Sequence, residues 1–423
     1  NRPELRIIAS TLPDSQIELV KNNQLLRDHF TSIEVSAPEG NDLTKILLTD
    51  IDSIEHKYSV FISYRAIKST VSLASRYIKD QSSPSRELNV IEAASTIAHR
   101  NGLKIVDENL IQQVIEEESH VPIQVNKTEQ ETLLNLVPEL HTRVVGQDEA
   151  IKQLSDALMR SRSGLTSGQR PTASFMFLGP TGVGKTETAK ALAQIYFGDQ
   201  SKLIRLDMAE YSDENGLVKL LGQDKSKAPG VLYDAIQRNP SSVLLLDEIE
   251  KSSRDVQNAL LSLIDEGRLT TNYGKVLDFT NSIIIASSNA GADYIVDQLG
   301  KKVTFAEVSK NLVNQLMAQK IYLPEFLNRF DGIIVYTPLT LEQMRQVVQI
   351  QVDRLSAKLQ QEKQIALSVS PELLDRLATK GYDPIFGARA LERILRADLE
   401  TAIARAIIAE QPAPGTKLTL RSL

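Results

Sequence analysis

The sequence contains no cysteine and no tryptophan, only 5% aromatic residues, and five scattered histidines, His29, His56, His99, His120 and His141. Without thiols the chain can form neither a disulfide nor a thiolate metal site, which suits a reducing, cytoplasmic setting. The histidines lack ligand spacing, so packing or surface roles outrank metal binding. No apolar run approaches the roughly 20 residues that a membrane-spanning helix needs. Neither charge sign dominates: the net charge is −6 and the pI about 5.6, so neither nucleic acid nor a membrane is expected as a partner.

What the chain does have is length and apolar content. Its 423 residues, 42% of them hydrophobic, are enough for two to four domains with substantial cores. Leu5–Ala9 reads as a strand, 14–30 as a helix and Ile33–Ala37 as a second short strand. From Asp42 to Glu118 the apolar period is helical, with segments at Leu43–Ile54, Tyr64–Lys79, Ser85–Asn101 and Asp107–Glu118. A polar stretch, Val121–Glu131, leads into a short helix at Thr132–Leu140. Beyond it, strand-like runs (Ala173–Leu178, Leu203–Leu206, Ser242–Leu246, Ser282–Ala286) alternate with helical ones (Gly216–Leu221, Val231–Arg238, Arg254–Asp265), which argues for a mainly parallel sheet covered by helices. After Pro338 the pattern is again helical, at Leu341–Glu362, Pro371–Lys380 and Ala388–Glu410, and it closes on a strand at Lys417–Leu420. The expected organisation is a mostly helical block at 1–125, a linker at 126–142, an α/β domain at 143–337 and a smaller C-terminal α+β subdomain at 338–423.

The chemistry centres on Gly179-Pro-Thr-Gly-Val-Gly-Lys-Thr186, which fits the phosphate-loop pattern GxxxxGK[ST] between a predicted strand and a predicted helix. Glycines let the backbone of Gly179, Pro180, Thr181, Gly182, Val183 and Gly184 fold round a phosphate so that its N–H groups, which Pro180 lacks, point at it, and the following helix, opening at Lys185, Thr186 and Glu187, adds its positive end. Lys185 would reach the β- and γ-phosphates and Thr186 would hold Mg2+ through its hydroxyl, so ATP and Mg2+ are the expected ligands. The alternative, a glycine-rich turn that only joins strand to helix, does not account for the lysine and threonine.

Downstream, Val243-Leu-Leu-Leu-Asp-Glu248 is an apolar run ending in two acids, placing them at the carboxyl edge of a parallel sheet where ligands bind. Asp247 would contact the Mg2+ shell, partly through water, and Glu248 would orient or deprotonate an attacking water. Asn289 ends a neighbouring strand-like run, where its amide would hold the same water or the γ-phosphate. A turn-forming Asn before Ala290-Gly291 is the other reading. Arg329 and Arg389 could stabilise phosphate charge, but chemistry alone does not select them from the other arginines.

From about Arg143 onward the chain resembles the second ATPase domain of the Clp-type AAA+ unfoldases and disaggregases, the ClpA, ClpB and ClpC group. The resemblance rests on Val145-Gly-Gln, the phosphate loop, Leu245-Leu-Asp-Glu-Ile-Glu-Lys251, Asp265-Glu-Gly-Arg-Leu-Thr270, Ser288-Asn-Ala-Gly291, Pro324-Glu-Phe-Leu-Asn-Arg329 and Tyr382-Asp-Pro-Ile-Phe-Gly-Ala-Arg389. It implies that Val144 and Val145 lie by the adenine, that Arg329 is an arginine finger acting on the ATP of a neighbouring subunit, and that Arg389 is a second sensor acting on its own. It also implies a homo-hexameric ring that remodels protein substrates by ATP hydrolysis.

The opening block resembles the tail of the first ATPase domain of the same proteins, through Arg6-Ile-Ile-Ala-Ser-Thr11 and Ala66–Ala94. The phosphate loop of that domain would precede Asn1, so a fragment of a longer protein is expected. Four departures stand out. Asp28-His29-Phe30 replaces a pair of arginines before a Phe, so a finger in the first ring is not expected. The residues between the two blocks are too few for a long coiled-coil insertion. Leu299–Phe305 poorly copies the Gly-Phe or Gly-Leu signature of protease-docking members, so a protease partner is not expected. Leu221–Gly230, carrying Lys225 and Lys227, lacks the aromatic of the Gly-Tyr-Val-Gly pore loop that grips a translocating chain. The alternative function is therefore a switch or scaffold that hydrolyses ATP without threading.

Overall fold

The structure is a computed structural model that describes residues 8–10, 31, 33, 35–78, 81–119, 127–162, 170–223, 228–272, 274–301, 303–383, 387–410 and 415–420. Two compact units divide the chain, Asn1–Ile123 and Gln124–Leu423.

The first unit is a helical bundle of α1 (Gly40–Tyr58), α2 (Tyr64–Tyr77), α3 (Ser85–Arg100) and α4 (Glu108–Ser119). Two short parallel strands, β1 (Phe61–Ile62) and β2 (Ile105–Val106), pair beside it. Its core gathers the apolar stripe of each helix, including Leu47, Ile67, Ile91, Ile111 and Ile115, as the helical period required. Of the strand expected at Ile33–Ala37, the described residues 33 and 35–37 form no ladder, and Ile33 and Val35 are almost fully exposed. Alternation of apolar residues makes a strand only where a partner edge exists to pair with. Of the strand expected at Leu5–Ala9, residues 5–7 lie outside the described residues, and Ile8 and Ala9 are in no strand. The expected helix at 14–30, and Asp28-His29-Phe30 with it, lies outside the described residues.

The second unit opens with α5 (Lys127–Leu134) and α6 (Leu136–His141), then α7 (Asp148–Arg162). The short helix expected at Thr132–Leu140 is present, as the end of α5 and as α6, with Leu133, Leu136 and Leu140 buried in the core of the unit. Helix begins earlier than expected, at Lys127, so the segment 126–142 is helical over most of its length rather than an open linker. Five parallel strands follow: β3 (Ala173–Leu178), β4 (Leu203–Asp207), β5 (Val243–Asp247), β6 (Ile283–Ser288) and β7 (Gly332–Val335), in the order β7-β3-β6-β5-β4. Strands β3, β5 and β6 are buried along their whole length, as central strands covered on both faces must be. Alternate side chains feed two cores. Met176, Leu178, Leu244, Leu246, Ile284 and Ala286 face one layer, and Phe175, Phe177, Val243, Leu245, Ile283 and Ile285 the other.

Helix α8 (Lys185–Phe197) follows β3, and α9 (Arg254–Glu266) follows β5. Between β6 and β7 lie helices Ala292–Gly300 and Phe305–Ala318, so the stretch 299–305 is mainly a joint between two packed helices. A third core belongs to the C-terminal part: α10 (Leu341–Lys363), β8 (Ala366–Val369), α11 (Pro371–Gly381), α12 (Arg389–Ile394), α13 (Thr401–Glu410) and β9 (Lys417–Leu420), with β8 and β9 parallel. Helix α10 starts with a full capping box, Thr340 with Gln343, which satisfies two orphan N–H groups.

Among the described residues no helix is long and apolar enough to cross a membrane.

Candidate functional site

The site forms where β3, β5 and β6 end on one edge of the sheet. Leu178 closes β3, and Gly179 turns the chain at φ +154°; a Cβ there would meet the Tyr336 carbonyl oxygen at 2.8 Å, so only glycine fits. The Gly179 N–H donates to the Ser288 carbonyl at 3.2 Å, which fastens the start of the loop to the end of β6. Gly184 precedes α8 and accepts from Thr188, so the last residues of the loop open directly into a helix N-terminus.

Lys185 turns back into the loop. Its Nζ donates to the carbonyls of Gly179 (2.5 Å) and Pro180 (2.8 Å) and to Asn289 Oδ1 (2.9 Å). Burial lowers its pKa from 10.5 to about 8; the charge of Arg389 adds to the fall, and Glu250, Asp247 and Glu248 oppose it. An ammonium held this way, with only carbonyl and amide oxygens on it, is poised to exchange those contacts for phosphate oxygens.

The two acids differ in setting. Asp247 is 9% exposed; its Oδ2 accepts from Arg205 Nε (3.0 Å) and Nη2 (2.7 Å), and its Oδ1 accepts from Ser287 Oγ. Glu248 follows in the left-handed region, φ 58° and ψ 49°, an uncommon conformation for a non-glycine residue that aims its side chain off the strand. Its carboxylate pairs with Lys251 Nζ at 2.5 Å and accepts from Asn289 Nδ2 at 3.5 Å. Asn289 therefore touches both Lys185 and Glu248, while its N–H donates to Glu250 Oε1 at 3.0 Å.

These groups line a cavity of 320 Å³. Of the residues singled out in the sequence, it brings together Val144, Val145, Thr181, Gly182, Val183, Gly184, Lys185, Thr186, Glu187, Asp247, Glu248, Asn289 and Arg389. Gly179 and Pro180 support the cavity through their carbonyls without lining it. Arg329 is not part of it; it pairs instead with Asp265 at 2.7 Å and is half-exposed.

The hydroxyl of Thr186 and the carboxylate of Asp247 are hard oxygen donors that suit Mg2+, and among the described residues no cluster of three or more His, Asp or Glu side chains forms a metal cage. One carboxylate, one hydroxyl and the phosphates of a nucleotide are the set Mg2+ prefers over a dedicated all-protein site.

The sequence reading missed several contributors. Gln147, itself at φ 61°, donates through Nε2 to the carbonyls of Val183 (3.3 Å) and Thr337 (2.8 Å), and so pins Val144 and Val145 against the phosphate loop. Arg143 and, on α10, Arg354 donate to the already expected Glu187 at 3.2 and 2.8 Å, which ties the loop helix to the C-terminal part. Gly387 lies on the loop itself, and the Ala388 N–H donates to the Gly182 carbonyl at 3.0 Å. Arg205 carried a legible signal, a charged residue in the middle of the strand Leu203–Asp207. Arg354 is one of many polar residues on a long helix and carried none.

A parallel sheet in this order, with a phosphate loop and paired acids at its carboxyl edge, defines a phosphate-loop nucleotide-binding fold with an appended C-terminal subdomain. Residues 170–333 match the profile of the AAA domain (Cdc48 subfamily), and 339–420 that of the C-terminal, D2-small domain of ClpB protein. Chaperone protein ClpB 1 of Synechococcus elongatus is 42% identical over 339 residues, 78% of this chain and 38% of that protein. ClpB of Meiothermus ruber is 41% identical over 345 residues, 80% of this chain and 40% of that one. A closed-state structure of Hsp104 with ATPγS and FITC-casein superposes with a TM-score of 0.86 at 30% identity, covering 97% of this chain and 71% of that one. An extended S. cerevisiae Hsp104:casein complex gives 0.85 at 29% identity, covering 96% and 70%. The chain belongs to the Clp-type AAA+ family, with its phosphate-loop domain in the position of the second domain. It spans about two-fifths of the length of the curated ClpB relatives it matches.

Proposed function

We propose that the chain is the ATP-hydrolysing part of a ring-forming, cytoplasmic Clp-type chaperone that remodels protein substrates. The observation that carries this reading is the convergence of Lys185, Asn289 and Glu248, joined by direct contacts at one sheet edge. Thr181–Thr186 would wrap the phosphates, with Lys185 giving up its carbonyl partners to them. Val144 and Val145 would pack on the adenine. Thr186 and Asp247 would hold Mg2+, which when bound neutralises phosphate charge. Asp247 must first release Arg205. Glu248 would accept a proton from the attacking water while Asn289 holds that water's position. Arg389, with Ala388 bonded to the loop, would report nucleotide to the C-terminal subdomain.

Arg329 lies outside its own cavity, which supports a role across a subunit boundary in a homo-hexamer. The similarity to ClpB chaperones and to Hsp104 structures containing casein favours protein remodelling over a non-threading switch. The pore-loop residues 224–227 lie outside the described residues. The reading takes protein substrates, and not nucleic acid, a membrane or a docked protease, as the partners.

Glu248→Gln tests the reading. The variant should bind ATP with wild-type affinity and hydrolyse it at least about 100-fold more slowly, since a positioned general base contributes about two to four powers of ten. Undiminished hydrolysis would remove Glu248 from the reaction and the reading with it.

A further inference from the structure

We propose that Asp265 is a positioning residue that presents Arg329 to the neighbouring subunit, with Arg170 as its brace. The inference rests on the reading of Arg329 as a finger acting in trans.

Helix α9 ends in two acids, Asp265 and Glu266, with no basic residue in its last turn. Acids there face the negative end of the helix dipole, an unfavourable arrangement. A chain that accepts this cost needs a compensating partner, and Asp265 has two. Its Oδ2 meets Arg329 Nη1 at 2.7 Å and its Oδ1 meets Arg170 Nη2 at 3.4 Å.

Arg170 also donates to the Arg329 carbonyl at 3.0 Å and lies 3.7 Å from Asp331 Oδ1. Both the side chain and the backbone of Arg329 are therefore held by the same acid–base pair. Asp331 completes the frame: its Oδ2 accepts from the Ser174 N–H (2.7 Å) and Oγ (2.9 Å), and its own N–H donates to Ser174 Oγ at 3.1 Å. Ser174 is the second residue of β3, whose other end runs into the phosphate loop. The support of Arg329 is thus fixed to the strand that carries the subunit's own nucleotide loop, roughly 15 Å along at the usual rise per residue.

Stability alone does not explain the arrangement. An exposed ion pair contributes little to stability, and Arg329 remains 49% exposed against 25% for Asp265. The carboxylate engages Nη1 of a group with five N–H donors and leaves the guanidinium facing outward, oriented before any phosphate arrives.

The test is complementation between two full-length chains. A donor carries Lys185→Ala, so its own pocket is silent but its Arg329 is intact; an acceptor carries Arg329→Ala, so its pocket is intact but it offers no finger. Mixed, they should hydrolyse ATP above the rate of either alone. Adding Asp265→Asn to the donor should lower that rate about 10-fold to 100-fold, the scale of a misplaced catalytic group. Adding it to the acceptor should leave the rate unchanged, which also shows that the substituted chain folds. Equal losses from both placements, or no loss from the donor, would overturn the inference while leaving the finger in place. An absence of complementation with wild-type Asp265 would remove the trans-acting finger itself, and the inference with it.

Discussion

The Nζ of Lys185 lies 2.9 Å from Oδ1 of Asn289, joining the phosphate loop to the end of β6, 104 residues further along the chain. This contact brings the group expected to bind phosphate against the group expected to hold water. It also explains why the lysine is tightly desolvated: carbonyls and an amide surround it, while the carboxylates act at longer range.

That burial makes nucleotide affinity depend on pH in one direction. The free site holds Lys185 at a pKa of about 8, and bound phosphates favour the charged ammonium. Below about pH 8 the lysine is charged in both states and affinity should be level. Above it, binding must take up a proton, and affinity should decline by up to about tenfold per pH unit. Calorimetry at alkaline pH, in two buffers of different ionisation heat, should show proton uptake; its absence would contradict the lowered pKa.

Replacing Asn289 removes a contact to Lys185 and one to Glu248 together. Asn289→Ala should cut the turnover number by roughly 100-fold to 1,000-fold, as loss of one oriented donor does elsewhere, with ATP affinity nearly unchanged. Steady-state kinetics beside equilibrium binding of a fluorescent nucleotide would separate the two. A wild-type turnover number would leave Asn289 as only a turn residue.

Gly387 is the point where the C-terminal subdomain touches the loop. It has φ +52°, and a Cβ there would fall 2.7 Å from the Thr181 carbonyl oxygen and 2.8 Å from that of Gly182. Gly387→Ala adds backbone strain of about 1–3 kcal/mol and a collision with backbone that cannot rotate away. Nucleotide affinity should fall about tenfold or more, since about 1.4 kcal/mol is a factor of ten. A titration that matched the wild type would show that the two parts separate without consequence for binding.

Phe177, fully buried in β3, packs against Phe175 and Tyr336 with ring centroids 6.4 and 5.2 Å away. Phe177→Ala should destabilise the second unit by about 3–5 kcal/mol, read as a lower denaturant midpoint. Because the side chain lies in the core and does not line the cavity, ATP affinity of the folded fraction should stay close to wild type.

The elements that could be read from the chain are those in which local pattern and tertiary environment agree. Ala173–Leu178 is an unbroken apolar run because it is buried on both faces, and Leu341–Lys363 announces itself through length and period. Ile33–Ala37 showed the pattern of a strand but pairs with no edge among the described residues, and 126–142 looked like a linker because a few leucines carry its packing. Short strands such as Gly332–Val335, with only four residues, had too few positions to show a period.

For the site, the phosphate loop, Asp247 and Glu248 were legible because their chemistry requires fixed spacing within one short segment. Sequence by itself determined the parallel sheet, the nucleotide-binding loop and the acids after β5, since each follows from residue type and local period. Only the tertiary structure decided that Gln147, Glu187, Arg354 and Gly387 close round the loop, and that Arg329 turns away from its own cavity toward Asp265. Those contacts join residues far apart in the chain, and their partners are chosen by how layers pack, a property that no local stretch of sequence encodes.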